Sequence, residues 1–453
     1  MINKNWRLST EFRTIGIQQA NPSYDMSLGI QFDSVQMPEE AEVMSNKNWH
    51  LSTEFRTIAI RHANPSYNMS QGIQFDSVQM PEEAEEMRRT VRDFLAAEIA
   101  AGNFEADGFG MTTHSPEFSQ RCGRAGFIGM TWPTTYGGQE RSFLERFVVT
   151  EEMLAVGAPV WAHWVADRQS GPVLIRYAKD EVRQDVLPRI VAGECYFCIG
   201  MSEPDSGSDL FSLRSTAKPV EGGWRVNGRK IWTSNAHRSH YMIALLRTSP
   251  ATSENRRYGL TQFLIAMDSP GITIRPIRNL TGAHDFNEVT LDDVFVPDSH
   301  LIGEVDMASS QATNELAYER SGPERFLETL AVLKALIRVA GKNPDKRLSE
   351  GIGRLVAQLS TLRQMSVSVA GMLSAGKVPQ VEAALVKDLG TNWEQSLPGE
   401  ARNLVTNDSV DQEAFEAFEA ILEQAILIAP KLTIQGGTRE ILRGIIARGL
   451  GLR

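Results

Sequence analysis

Trp224-Arg225-Val226-Asn227-Gly228-Arg229-Lys230-Ile231-Trp232-Thr233-Ser234-Asn235 is the stretch on which the fold turns. Strand-forming residues lie on both sides of Asn227-Gly228, a dipeptide that tolerates positive φ. The spacing therefore predicts a β-hairpin whose arms contain Trp224-Arg225-Val226 and Lys230-Ile231-Trp232. Towards the carboxyl end, Gly271-Ile272-Thr273-Ile274-Arg275-Pro276 and Glu288-Val289-Thr290-Leu291 read as further strands, and Asp293–Pro297 reads as the way out of the last one. Period-two text of this kind fills roughly residues 196–304.

Helical spacing takes over on both sides. Pro81-Glu82-Glu83 suits a helix start, with acids at the positive end, and Met87, Val91, Phe94, Leu95 and Ile99 recur at helical intervals behind it. More helical text reaches about Ala192, broken at Trp132–Gly138. After Glu304, one stripe runs through Leu327, Leu330, Leu333, Leu336 and Ile337, and a second through Leu348, Ile352, Leu355, Leu359 and Leu362. The last helix is expected over about Thr438–Ala447. Helices, then a block of antiparallel strands, then helices again make an α+β chain rather than a doubly wound sheet. The expected divisions are an amino-terminal arm (1–80), a helical domain (81–195), a β domain (196–304) and a helical bundle (305–453).

The arm is a tandem duplication. Asn3–Met44 recurs as Asn46–Met87, differing at seven of 42 positions with a period of 43 residues. Two polar units are too few for a solenoid. The arm is expected to be weakly ordered, the other readings being a docking arm and a misassigned start.

Composition excludes several classes. The 46 basic and 56 acidic side chains give a formal charge of −10, which argues against a broad nucleic-acid surface. No stretch approaches the roughly 20 apolar residues of a membrane span. The first residues do not read as a secretory signal, and three cysteines are too few for a disulfide framework, so a cytoplasmic location is expected. Cys195 and Cys198 form a single C-x-x-C pair without a second, and are read as structural thiols. No metal site is expected. Walker A, Gly-x-Gly-x-x-Gly after a strand, Gly-x-Ser-x-Gly and His-Glu-x-x-His signatures are absent.

Two segments point to chemistry. Gly200-Met201-Ser202-Glu203-Pro204-Asp205-Ser206-Gly207-Ser208-Asp209 packs turn formers and hydroxyls into one loop, which suits a bound phosphate or the edge of a flavin. In Lys230–Asn235 a tryptophan adjoins hydroxyls, an arrangement able to stack on a planar ring and bond to its heteroatoms. At this spacing the two segments resemble the acyl-CoA dehydrogenases, with their Thr/Ser-Glu-Pro-x-x-Gly-Ser-Asp loop and Lys-x-Trp-x-Ser/Thr-Asn strand. The resemblance continues through Pro133–Gly138, Glu151-Glu152, Phe286–Val289, Val296-Pro297, Glu319-Arg320 and Gly436–Ile441, and covers residues 80–453.

The resemblance implies FAD between the β domain and a carboxy-terminal four-helix bundle. Met201, Ser202, Trp232, Thr233 and Ser234 would meet the flavin, and Thr438 and Glu440 the dinucleotide. Ser208 would lie near the CoA of the substrate, and Arg320 near both cofactor and acyl-CoA. It also implies α,β-dehydrogenation of an acyl-CoA thioester, an electron-transfer flavoprotein as acceptor, and assembly as a homo-oligomer or with a homologous partner subunit. A carboxylate must remove the α proton. One position that the family uses for it holds Gly436 here, and the other holds Glu319. Glu319 is therefore the expected base, the other reading being a helix-terminal glutamate paired with Arg320 or Arg325. The family's Arg-x-x-Phe-Gly and Gly-Gly-x-Gly segments are missing: the matching regions read Asn343–Leu348 and Leu397–Arg402. That departure resembles a branch with heteromeric members, so a half-site or non-catalytic subunit stands as one alternative. An oxidase or monooxygenase on the same fold stands as another.

Overall fold

The computed structural model describes residues 73–252, 255–308, 320–405 and 412–452. Nearly all of the duplicated arm therefore lies outside the described residues. Residues 73–80, assigned to that arm on sequence, run without helix or strand. Val78 and Met80 pack beside Ala84, Phe147 and Ala370, and Phe75 beside Leu373 and Val386, so this stretch is tied to the body of the protein.

The first helical layer comprises α1 (Glu82–Ala100), α2 (Pro116–Ala125), α3 (Phe143–Ala155), α4 (Trp161–Val165), α5 (Gly171–Tyr177) and α6 (Asp180–Val191). Pro81 sits immediately before α1, and Glu82, Glu83 and Glu85 occupy its first turn, where the helix dipole favours acids. The start of α3 is set by a capping box, in which Ser142 and Glu145 each satisfy the other's backbone N–H. Between α4 and α5 the chain widens into a π-helical turn, Ala166–Ser170.

One eight-stranded sheet follows: β1 (Phe197–Gly200), β2 (Thr216–Val220), β3 (Gly223–Lys230), β4 (Tyr241–Arg247), β5 (Leu260–Ala266), β6 (Ile272–Arg278), β7 (His284–Pro297) and β8 (Leu301–Ile302). Its order is β6-β7-β3-β2-β4-β5-β8, with β1 also paired to β4. Pairing is mostly antiparallel. The exceptions are β1 with β4 and the single parallel register of Thr216 with Arg247.

The expected hairpin at Asn227-Gly228 is corrected. The turn lies earlier: β2 and β3 pair antiparallel across Glu221-Gly222, and Gly222 takes φ +73°. Asn227-Gly228 is a bulge inside one continuous strand, where the register against β7 slips between Val226 and Gly228. The strand runs on because β7 gives it a partner on both sides of the bulge. Asn227 Oδ1 accepts from the Asp293 N–H at 2.9 Å. A Cβ on Gly228 would stand 2.1 Å from Ser215 Oγ, so the glycine answers a close approach rather than a turn. Asp293–Pro297, expected to lead out of its strand, remains within β7 and pairs as far as Pro297 with Gly223.

The carboxy-terminal layer comprises α7 (Leu330–Ala340), α8 (Lys346–Ser374), α9 (Gln380–Leu404), α10 (Gln412–Leu432) and α11 (Arg439–Gly449). Leu330, Leu333 and Leu336 are buried along α7, as are Leu348, Leu355, Leu359 and Leu362 along α8. Leu327 is buried too, but precedes α7. These stripes join Leu95, Phe118 and Leu174 in one continuous core, so the two helical layers are packed together, while the sheet carries its own core around Val226, Phe263 and Val289. Among the described residues the three cysteines are buried free thiols, and no cluster of histidine, cysteine or carboxylates is placed to hold a metal. No helix among them is long and apolar enough to cross a membrane.

The bundle encloses an acidic pair. Glu394 Oε1 accepts from the Glu328 N–H at 2.8 Å, and Lys431 Nζ lies 2.8 Å from Glu328 Oε1. Burial, then the charge of Glu328, push the Glu394 carboxyl well above its ordinary value against the weaker pull of Arg325 and Lys387. Glu394 thus holds its proton while Glu328 pairs with Lys431. An acid with a raised folded-state pKa contributes stability below its unfolded value, and that contribution is lost as pH rises through the folded value. Glu394→Gln is expected to match the parent protein's melting midpoint at about pH 5 and to exceed it at about pH 8. Parallel melting curves at the two pH values check this, and a variant that gains nothing at the higher pH would count against it.

Candidate functional site

The loop after β1 is locked to the start of the segment after β3. Ile231 N donates to Ser202 O at 3.0 Å. Glu203, inside the loop, accepts from Arg214 N at 2.6 Å, Ser215 N at 3.0 Å and Lys230 Nζ at 2.8 Å. The Lys230 ammonium, fully buried, also donates to Leu245 O at 2.7 Å and Met201 O at 3.3 Å. Burial pulls the Glu203 carboxyl upward, but the Lys230 charge and the N–H donors outweigh it and hold it below the usual range. For Lys230 the balance goes the other way: burial depresses the ammonium more than Glu203 raises it. Both effects follow from a paired charge with little solvent around it.

Past Lys230 the backbone turns outward. Trp232 adopts φ +58° and is 57% exposed, with an edge contact to Phe286. Next to it Thr233 is buried, its N–H donating to Asn287 O at 3.0 Å and its C=O accepting from Asn287 Nδ2 at 2.9 Å. Among the described residues Thr233 Oγ1 has no hydrogen-bond partner. His284 Nε2 lies 2.7 Å from Asn287 Oδ1, and the His284 ring stacks on His237 at 3.8 Å. His284, singled out on sequence, therefore holds this corner in place. An exposed indole thus stands beside a buried hydroxyl that no described residue pairs with. A flat ring carrying polar edge atoms would cover the first and satisfy the second.

A second group forms at the bundle. The loop 320–329 brings buried Arg320 to the turn before α11, where Arg320 Nε donates to Gly436 O at 3.1 Å. Gly436 and Gly437 both take positive φ, +64° and +106°, and a Cβ on Gly437 would lie 3.4 Å from the Arg320 guanidinium. Thr438 caps α11 by accepting from Ile441 N at 3.5 Å. Glu440, exposed in the first turn, is held below its ordinary value by its own backbone N–H and the Thr438 hydroxyl. Asp388 anchors the helix from α9, with Arg439 Nε at 3.0 Å and Arg443 Nε at 3.4 Å.

The structure thus gathers Met201, Ser202, Trp232, Thr233 and Ser234 in one group, and Arg320, Thr438 and Glu440 in another. Ser208 is exposed on the rim of the first loop. Glu319 lies outside the described residues. Sequence reasoning gave no role to Glu203, Lys230 or Asn287, although all three stand inside the quoted motifs. Their function as buried struts requires knowing that the loop and the strand lie side by side.

Three family models match the chain in succession: the acyl-CoA dehydrogenase N-terminal domain over residues 81–194, the middle domain over 198–294 and the C-terminal domain over 337–451. Acyl-CoA dehydrogenase IpdE1 of Mycobacterium tuberculosis is 32% identical over 381 residues, which is 81% of this chain and 97% of that protein. Acyl-CoA dehydrogenase FadE34 of the same organism is 32% identical over 339 residues, 72% of this chain, but the chain spans only 45% of that longer relative. Among solved structures, the Tcur3481-Tcur3483 steroid ACAD is similar at 25% identity and a TM-score of 0.70, covering 83% of this chain and 98% of that one. The ChsE4-ChsE5 complex from Mycobacterium tuberculosis is similar at 25% identity and a TM-score of 0.69, covering 83% and 100%.

Proposed function

This chain belongs to the acyl-CoA dehydrogenase family of oxidoreductases, and on that premise we propose that it dehydrogenates the α and β carbons of an acyl-CoA thioester, with Glu319 as the base and FAD as cofactor. The observation that carries the cofactor assignment is the exposed Trp232 ring beside the unpartnered Thr233 hydroxyl, next to a loop pinned by Glu203 and Lys230. Met201, Ser202, Trp232, Thr233 and Ser234 would hold the flavin ring. Thr438 and Glu440 would hold the dinucleotide end, close to the N-terminus of α11, where backbone N–H groups favour phosphate. FAD bound there supplies the acceptor for the β hydrogen and its electron pair.

The chain's own part is proton removal and positioning. Glu319 takes the α proton, a task that needs a carboxylate in a dry setting with a raised pKa. Arg320, fixed on Gly436 O, keeps the loop 320–329 against the turn before α11. Ser208, on the exposed rim, is placed to meet the CoA portion. An electron-transfer flavoprotein would then reoxidise the cofactor.

A second reading has one observation in its favour. The segment where the family carries Arg-x-x-Phe-Gly is here the start of α8, with Asp345 capping the helix through the Leu348 N–H at 2.8 Å. The arginine of that helix start, Arg347, spends its fork on Asn403 O at 2.9 Å and Leu404 O at 2.8 Å, which fits a subunit that shares FAD sites with a homologous, non-identical partner. The test is the visible spectrum of the chain purified alone, before and after a panel of acyl-CoAs that includes steroid side-chain thioesters. A flavin band that bleaches with one of them supports the self-sufficient enzyme. A colourless protein that gains flavin only with a second chain supports the heteromer. A flavin band that no thioester bleaches, alone or with a partner, would sink the dehydrogenase reading.

A further inference from the structure

The turn that follows β3 is held in an unfavourable shape. Trp232 takes φ +58° and Asn235 φ +53°, a region that a bulky residue with a Cβ keeps only when its surroundings hold it there. One end of the turn is fastened by Ile231 N, which donates to Ser202 O at 3.0 Å. The other end is fastened to β7. Thr233 N–H donates to Asn287 O at 3.0 Å, Asn287 Nδ2 donates to Thr233 O at 2.9 Å, and Asn235 N donates to Asp285 O at 2.8 Å. Trp232 sits between the two fastenings.

One of these bonds depends on which way a side chain is turned. Thr233 O is a carbonyl and only accepts, so the Asn287 amide must face it with Nδ2. Its Oδ1 is then directed to His284 Nε2, 2.7 Å away, and an amide oxygen also only accepts. The proton between them therefore belongs to His284 Nε2, which fixes the tautomer of the neutral ring. Asn287 is fully buried. Without that donor its Oδ1 would be a buried acceptor left unpaired, and nothing would favour this orientation of the amide.

His284 is oriented in turn by His237, whose ring lies 3.8 Å away and within 13° of parallel. Neither ring nitrogen of His237 has a hydrogen-bond partner among the described residues, so His237 offers its face and leaves the donor's role to His284. Burial, then His284 and Arg238, depress His237 to about 4, which keeps it neutral at pH 7 beside the stacked ring. The adjoining acid, Asp285, is taken by Asn279 Nδ2 at 2.6 Å.

Resting on the flavin reading above, we infer that His284 is a positioning residue for the cofactor. Its Nε2 proton orients the Asn287 amide, the amide clamps Thr233, and the clamp keeps Trp232 and Ser234 in the shape that receives the flavin ring. A weaker clamp lets the turn relax towards ordinary φ values and withdraws the indole.

The test compares two substitutions in the flavin-loaded protein, with its partner chain if one proves necessary. His284→Phe keeps a flat ring for His237 but loses the donor. His284→Gln loses the ring but places an amide nitrogen where Nε2 stood. FAD affinity is measured by equilibrium dialysis, and opening of residues 231–236 by amide hydrogen exchange. In His284→Phe, FAD is expected to bind about 10-fold more weakly and the segment to exchange about 10-fold faster, the worth of one buried hydrogen bond. In His284→Gln both quantities are expected to return close to the parent's. His284→Asn, whose amide is too short to reach Asn287, serves as the donor-free variant should His284→Phe fail to fold. The reverse pattern, with Phe like the parent and Gln impaired, would make His284 a packing residue and overturn the inference, as would equal impairment in both variants or none in either. FAD bound equally by all the proteins while exchange responds as described overturns the cofactor role alone. A parent protein that takes up no FAD, alone or with a partner, fells the flavin reading itself.

Discussion

Glu319→Gln is expected to leave a protein that still binds flavin and melts as before, but whose flavin is bleached by substrate about 100- to 10,000-fold more slowly, the usual contribution of a positioned general base. Glutamine keeps the shape and the hydrogen-bonding oxygen of glutamate, but does not accept the α proton. No second carboxylate stands at the position that other family members use, because Gly436 occupies it. The structure gives a reason for that glycine. Its φ is +64°, its carbonyl accepts from Arg320, and the left-handed region is unfavourable for a residue with a Cβ. The measurement is stopped-flow bleaching of the flavin band at saturating substrate, with FAD content and melting midpoint as controls. Bleaching at the parent rate in a variant with full flavin content would remove Glu319 from the mechanism and return it to a helix-terminal role.

Lys230→Met is expected to cost about 3–5 kcal/mol of stability, the range for removing one partner of a buried ion pair, and to reduce flavin retention along with it. Lys230 is fully buried and its ammonium has three acceptors, Glu203, Leu245 O and Met201 O. Methionine fills the space but leaves Glu203 with only the two backbone N–H donors of Arg214 and Ser215. The Glu203 carboxyl, held below its ordinary value in the folded protein, contributes stability above its unfolded pKa and loses it as pH falls through the folded value. In Lys230→Met that acid-side loss is expected to shrink. Adding Glu203→Leu to Lys230→Met should recover part of the lost stability, because two apolar groups leave no orphaned charge. Denaturant curves at neutral and mildly acid pH measure both effects. A Lys230→Met protein as stable as its parent would mean that the pair is not the strut that holds the loop after β1.

The helices were legible because their signals are local. Pro81 with its acids, the Leu330–Leu336 stripe and Thr438 before α11 act within one or two turns, and each element lies where its own residues direct it. The hairpin was misread because a local signal met a long-range partner. Asn227-Gly228 has the composition of a tight turn, but β7 pairs with β3 on both sides of it, and turns it into a bulge held against Ser215 and Asp293. Bulge and turn demand the same freedom of a glycine, and only the neighbouring strand tells them apart.

For the candidate site, sequence alone named the two motif segments, the arginine before the bundle and the last helix cap, because motif spacing is written in the chain. It supplied no reason for Glu203 beside Lys230, since 27 residues separate them and their attraction exists only after the loop folds onto β3. Periodicity and capping are properties of neighbours along the chain, and so the sequence by itself determined the helices, the order of helical and β blocks and the family. Charge pairing and burial depend on distances through space, and only the tertiary structure decided which of the described charges pair with which.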